Sequence, residues 1–237
     1  MGLFNKKKKL CLISEEFKEF EDIFNFCKPY TMTGIERMFA LYKATEYIVK
    51  NNIPGDLVEC GVWRGGSIMV IIKTLQKFNA LDRQVWLFDT FEGMSKPTEE
   101  DKDFTDLSAE VQLKNSKKDK ENIIWAYATL DDVKRNIALT NYPIENVHFI
   151  KGKVEDTLPN KQYFNLCSLL RLDTDWYDST KIELECFYPL LQSKGVLIID
   201  DYGHWQGCKK AVDEYFENLQ VFPLLQRIDY TGRLFVK

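Results

Sequence analysis

Apolar positions follow two rhythms along the chain, one spaced by three to four residues and one of short unbroken runs. From Ser14 to Cys27, Phe17, Phe20 and Phe24 recur among acidic residues at the spacing of an amphipathic helix. A second helix is expected from about Gly34 to Val49, with Ile35, Met38, Phe39, Tyr42 and Ala44 as its apolar stripe and Pro54-Gly55 beyond its end. The rhythm then changes. Leu57 to Cys60 reads as a strand that enters the glycine loop Gly61-Val62-Trp63-Arg64-Gly65-Gly66-Ser67, followed by a helical Ile68 to Leu75. Val85 to Phe88 stops at Asp89, Val147 to Ile150 stops before Lys151-Gly152, Leu166 to Leu172 stops at Asp173, and Val196 to Ile199 stops at Asp200. Helical stretches lie between them, notably Asp131 to Leu139 and Thr180 to Leu191.

Strands alternating with helices predict an α/β fold with a mostly parallel sheet, because parallel neighbours need crossover connections. Near the C-terminus, Val221 to Leu225 and Arg233 to Val236 flank Asp229-Tyr230-Thr231-Gly232, which predicts an antiparallel hairpin closing one sheet edge. Glu92 to Tyr127 is less periodic and rich in Asp, Glu and Lys, and is expected as an exposed excursion covering the site. The expected organisation is an N-terminal helical appendage over residues 1–50 and a principal domain over 51–237.

Composition acts mainly by exclusion. A chain of 237 residues with 45% hydrophobic and 29% charged residues can bury one core and is neither disordered nor collagen-like. The formal charge of -4, from 32 basic and 36 acidic residues, gives no general attraction to nucleic acid or to an anionic membrane. No stretch reaches the roughly 20 apolar residues of a membrane span. Lys6 to Lys9 precede a Glu/Phe-rich segment instead of an apolar core, so they read as a solvated tail and not a signal peptide. The six cysteines form no C-x-x-C pair and read as reduced thiols, so a cytoplasmic protein is expected.

Charge placement is more informative than net charge. Ligands of open α/β sheets bind outside the carboxyl ends of the strands, where Glu59, Asp89, Asp173 and Asp200 stand here. Any one of them could simply start a turn or cap a helix. Together with Asp175 and Asp201 they would repel one another by about 4 kcal/mol per close pair at a protein-like dielectric. Protons, a nearby cation such as Arg171, or a divalent ion must offset that; all-oxygen donors favour magnesium, calcium or manganese over zinc, and sites that keep open positions favour magnesium or manganese. The glycine loop lacks both the G-x-G-x-x-G and the G-K-[ST] spacing, while Asp89 suits a ribose. An adenosine-containing cofactor without a pyrophosphate, such as S-adenosylmethionine, fits that combination.

The blocks Asp56-Leu57-Val58-Glu59-Cys60-Gly61-Val62-Trp63-Arg64-Gly65-Gly66-Ser67, Asp89-Thr90-Phe91-Glu92-Gly93, Asp156-Thr157-Leu158-Pro159, Arg171 through Thr180 and Asp200-Asp201-Tyr202-Gly203 together resemble the macrocin O-methyltransferase (TylF/MycF) family. The resemblance runs from about Thr31 to the C-terminus. It implies a class I methyltransferase fold with a Rossmann-like sheet, S-adenosylmethionine and Mg2+ as cofactors, and a sugar hydroxyl as acceptor. It further implies that Glu59, Gly61 and Ser67 line the cofactor loop, that Asp89 holds the ribose, that Asp173, Asp200 and Asp201 ligate the metal, and that Asp175 is the general base. Thr174 departs from the glycine of many members, and the excursion matches no recognisable pattern.

Other residues keep two readings. Asp175 could cap the helix starting near Tyr177; His204 could be a rival base; His148 reads as a packed or edge residue. Trp63, Trp176, Tyr202 and Trp205 could stack on a ligand or simply pack, and Thr33, Glu36 and Arg37 could fold over the cofactor or cap their helix. The competing functions are methylation of a catechol-like phenol, a nucleotide-dependent oxidoreductase and a non-enzymatic binding module. The expected partner is a small-molecule or sugar acceptor, and the amphipathic N-terminal helices are compatible with a homodimer.

Overall fold

The computed structural model describes residues 15–119 and 123–237. The lysine run and Cys11 lie outside the described residues. Strands β1 (Asp56–Cys60), β2 (Val85–Asp89), β3 (Val147–Lys151), β4 (Cys167–Leu172), β5 (Leu191–Ile199), β6 (Gln226–Arg227) and β7 (Arg233–Val236) form one sheet in the order β3-β2-β1-β4-β5-β7-β6. The first five are parallel, and β7 runs antiparallel to both β5 and β6. The sheet is therefore the α/β arrangement expected, including its antiparallel edge. The tail differs in one respect. Residues 221–225 form no strand: pairing with β7 begins only at Gln226, and two of their side chains face solvent, with Phe222 89% and Leu224 83% exposed.

Alternation along the central strands feeds two cores. Leu57, Leu87, Leu169, Val196 and Ile198 face α1 (Glu15–Cys27), α2 (Ile35–Lys50) and α3 (Gly66–Lys77). The described part of the N-terminal region thus shares a core with the sheet, through Phe20, Met38, Leu41 and Ile48. Val58, Cys60, Leu170, Leu172, Leu197 and Ile199 pack on the opposite face, against α7 (Tyr177–Phe187) and α8 (Gln206–Asn218). Shorter helices are α4 (Ala109–Lys114) in the excursion, α5 (Leu130–Ala138) and α6 (Val154–Thr157).

The excursion is fastened at several points. The buried Asp101 carboxylate accepts from the Tyr177 amide at 2.8 Å and from the Thr98 amide at 2.6 Å, and Trp176 donates its indole N–H to the Ser95 carbonyl at 3.2 Å. A bridge joins Asp103 to Trp205. Among the described residues no helix is long and apolar enough to cross a membrane.

Candidate active site

The carboxyl ends of β1, β2, β4 and β5 open into a cavity of about 400 Å³, within the range that holds small-molecule ligands. One wall is the glycine loop. Gly61 has φ 82°, and a Cβ there would run into the Asp173 carbonyl, so glycine lets the loop cross the end of β4. Gly65, with φ 89°, turns the chain into α3. Asp89 organises this loop: one carboxylate oxygen accepts from the amides of Val62 (2.6 Å) and Trp63 (3.2 Å), the other from Phe91 (2.6 Å). Burial raises its pKa and the backbone N–H donors pull it back. The carboxylate stays partly exposed and lines the cavity together with Gly61, Trp63 and Ser67. Glu59 does not line it. It is fully buried, is held by Arg171, and is pushed up to about 7 by desolvation, which Arg171 only partly offsets.

Arg171 is the residue whose importance the strand pattern understates. It is the register neighbour of Glu59 and is 2% exposed. Its guanidinium donates to Glu59, to Asp173 at 2.6 Å and to Asp200 at 2.5 Å. The second Asp200 oxygen accepts from Arg37 of α2. Burial alone would raise Asp200, yet the two arginines hold it below the ordinary aspartate range. Strand parity explains the pairing. Asp200 continues β5 through its amide bond to the Leu172 carbonyl (2.9 Å), and two-residue alternation puts it on the face of Val196 and Ile198, where α2 packs. Asp201 falls on the other parity.

Asp173, Asp175 and Asp201 form a second group, with one oxygen of each within 4.8 Å of the others. Burial raises all three: Asp173 and Asp201 well above the carboxylate range, Asp175 to about 7. Oδ2 of Asp201 is buried without a hydrogen-bond partner, and Asp175 holds φ 68°, in the left-handed region that aspartate tolerates. Three converging carboxylates, one of them with a buried unpartnered oxygen, suit a hard divalent cation. The resemblance names Asp173, Asp200 and Asp201 as ligands, whereas the carboxylates gathered here are Asp173, Asp175 and Asp201.

Asp175 does not cap α7. Trp176 holds the N-cap position without a side-chain bond, and Asp101 receives the Tyr177 amide instead. His204 lines the cavity, accepts or donates at 3.2 Å to the Tyr230 hydroxyl, and is lowered chiefly by burial. His148 lies away from the cavity, stacked on Trp86 at 4.0 Å. Trp63 and Trp205 reach the cavity; Trp176 packs edge-on against Trp205, and Tyr202 bonds Asp213. Thr33 and Arg37 line the cavity, and the N-cap of α2 is Gly34.

This sheet order, with its ligand cavity at the carboxyl ends, defines a Rossmann-like methyltransferase of class I type. The sequence profile of the macrocin O-methyltransferase family, TylF, matches residues 18–237, and the chain belongs to that family. It is 36% identical to demethyldecarbamoylnovobiocin O-methyltransferase of Streptomyces niveus over 86% of this chain and 74% of that protein. It is 32% identical to mycinamicin III 3''-O-methyltransferase of Micromonospora griseorubida over 86% and 76%. The solved structure of the O-methyltransferase NovP superposes with a TM-score of 0.76 at 33% identity, covering 88% of this chain and 82% of that one. The protein is therefore an O-methyltransferase.

Proposed function

We propose that this O-methyltransferase uses S-adenosylmethionine and a divalent cation, Mg2+ in the simplest case, to methylate a hydroxyl of a sugar carried by a small molecule. The convergence of Asp173, Asp175 and Asp201 beside the glycine-loop cavity carries this reading. A similar protein from Streptomyces olivaceus, 34% identical over 86% of this chain and 74% of that protein, is named as the 4'-O-methyltransferase of a rhamnosyl-bearing tetracenomycin, which supports a sugar acceptor. When bound, S-adenosylmethionine would supply a methyl group activated by its sulfonium, and the cation would supply positive charge that acidifies an adjacent hydroxyl.

The chain's own residues then have distinct tasks. Asp89 and the loop Gly61 to Ser67 would hold the nucleoside, Asp89 through the lone pairs that its three amide contacts leave open. Asp173, Asp175 and Asp201 would hold the cation. Asp175 would also accept the hydroxyl proton at its remaining oxygen, ionised by the positive charge of the bound cation. Arg171 keeps Glu59, Asp173 and Asp200 from repelling one another and is buried away from the acceptor. Trp63, Trp205 and His204, which line the cavity, would border the acceptor.

The test is calorimetric titration with S-adenosylhomocysteine and with NAD, followed by mass spectrometry of a panel of glycosides and catechols incubated with S-adenosylmethionine. Binding of the first nucleoside alone and methylation of glycosides are expected. Methylation confined to catechols would move the acceptor to a phenol, and binding of NAD alone would contradict the reading.

A further inference from the structure

Three aromatic rings stand together at the cavity, and two of them are left largely uncovered by the fold. His204, after β5, lines the cavity. Phe104 of the excursion and Tyr230 of the β6–β7 turn lie beside it and are 63% and 53% exposed. The ring centroids form a triangle: Phe104 is 5.5 Å from His204 and 6.2 Å from Tyr230, and His204 is 5.9 Å from Tyr230. The Tyr230 hydroxyl meets Nδ1 of His204 at 3.2 Å. On its other side the His204 ring sits edge-on to Trp205 at 4.8 Å, and Trp205 also lines the cavity. An aromatic surface thus runs from the cavity out to solvent.

The backbone that presents these rings is held in place. Phe104 lies in a turn where Oδ1 of Asp103 accepts from the amides of Thr105 (2.8 Å) and Leu107 (3.1 Å). Gln206, at the start of α8, donates its side-chain amide to the Asp103 carbonyl at 2.9 Å and to Asp106 at 2.8 Å, and its backbone amide to the Lys102 carbonyl at 2.8 Å. Gly203 donates to the Thr231 carbonyl at 2.9 Å, and a Cβ at Gly203 would lie 2.0 Å from the Tyr230 carbonyl oxygen, so glycine lets the two loops meet. Three segments distant in sequence are therefore fastened to one another around the rings. Exposed apolar groups clustered in this way, unlike single ones, mark binding surfaces.

The place of the cluster decides what it can hold. Asp173, Asp175 and Asp201 make the reacting end of the cavity polar, which suits the sugar whose hydroxyl is methylated. A cavity of about 400 Å³ is of the size that takes one small ligand, and it must admit a nucleoside as well as that sugar, so whatever the sugar carries lies at the mouth. Aromatic rings offer apolar area and a π face there, which match a planar apolar group. We propose that Phe104, Tyr230 and His204 form a subsite for a planar apolar aglycone of the acceptor, outside the space that takes its sugar. The proposal rests on the sugar-hydroxyl reading of the cavity and names the class of glycoside preferred.

The experiment compares steady-state methylation of two glycosides of one sugar, the sugar being the one that the glycoside panel shows to be methylated. The 4-methylumbelliferyl glycoside carries a planar aglycone and the methyl glycoside carries none. Binding of free 4-methylumbelliferone to the full chain is followed by calorimetry, and self-association by sedimentation velocity. Phe104→Ala and Tyr230→Ala are each expected to raise KM for the aryl glycoside by about tenfold, with its kcat and the KM of the methyl glycoside within about twofold, and to weaken 4-methylumbelliferone binding by about tenfold. Phe104→Trp and Tyr230→Phe keep a ring and should stay within about threefold of the wild type. S-adenosylhomocysteine binding within about twofold of the wild type in every variant would report an intact fold. Equal KM losses for the two glycosides would place the rings on the sugar itself, and an unchanged KM for the aryl glycoside would give them no part in binding; either overturns the proposal. So does loss of self-association in Phe104→Ala with KM unchanged, which would make the cluster an interface between copies. Should no glycoside be methylated, the sugar reading fails separately, and 4-methylumbelliferone binding, weakened or unchanged in Phe104→Ala, still decides whether the rings take a planar apolar group.

Discussion

Asp200 and Asp201 are adjacent in sequence and meet opposite surroundings, because a peptide that prolongs a strand sends successive side chains to opposite faces. The same parity unites Glu59, Arg171 and Asp200 on the α2 face, where one buried guanidinium serves three carboxylates. Removing it strands them: Arg171→Met is expected to lower stability by about 3–5 kcal/mol in urea unfolding, more than a surface ion pair could account for. Asp175→Asn should reduce turnover by about 10²–10⁴-fold while leaving nucleoside binding within about twofold, measured by steady-state rates and calorimetry. The pH dependence follows from signs. Glu59 and Asp175 sit at about 7 in the folded protein, above their ordinary carboxylate values. Between those ordinary values and 7 the folded state holds more protons, so their contribution is present at acid pH and lost as pH rises. Asp200 works in the opposite sense, its contribution vanishing as pH falls through its depressed value. In cation-free buffer the urea midpoint should therefore fall between about pH 5 and pH 7.5, and added Mg2+ should lift the upper part of that range; a midpoint rising throughout without cation would show that the carboxyls are not raised as described.

The glycine loop and the start of α7 carry predictions at the scale of elements. Gly61→Ala must place a methyl group against the Asp173 carbonyl in a left-handed backbone, costing about 1–2 kcal/mol from conformation alone, and nucleoside binding should fall with it. Asp101→Ala removes the acceptor for the Tyr177 amide and should cost about 0.5–2 kcal/mol, with amide exchange in the first turn of α7 rising locally. Central strands, their acidic ends and the glycine loop were legible because unbroken apolar runs and loop glycines leave a strong local signal. Other elements left weaker ones. The stripe Cys208, Ala211, Val212 and Phe216 of α8 does carry a helical period, but it follows directly on the acidic strand end. Residues 221–225 have strand-like composition and no strand, since apolar character does not supply a pairing partner. The role of Asp101 had no local signature, because the helix it caps begins seventy-six residues away.

At the scale of the molecule, the N-terminal helices, the sheet and the C-terminal hairpin meet at one cluster of charges. From sequence alone residues 1–50 read as a helical appendage, because amphipathic periodicity shows that a face is buried and not what it is buried against. Arg37, Asp200 and Asp229 come from α2, the residue just past β5 and the β6–β7 turn, and only the closed fold makes them neighbours. The net charge of -4 likewise says little until its location is known. The account stands most directly on a single measurement: transfer of isotopically labelled methyl from S-adenosylmethionine to a glycoside panel, with and without chelator, by wild type and Asp175→Asn. Label on a sugar oxygen, lost with chelator and restored by Mg2+ in the wild type but not in the variant, is the predicted result. Full transfer in the presence of chelator, or full transfer by Asp175→Asn, would contradict it.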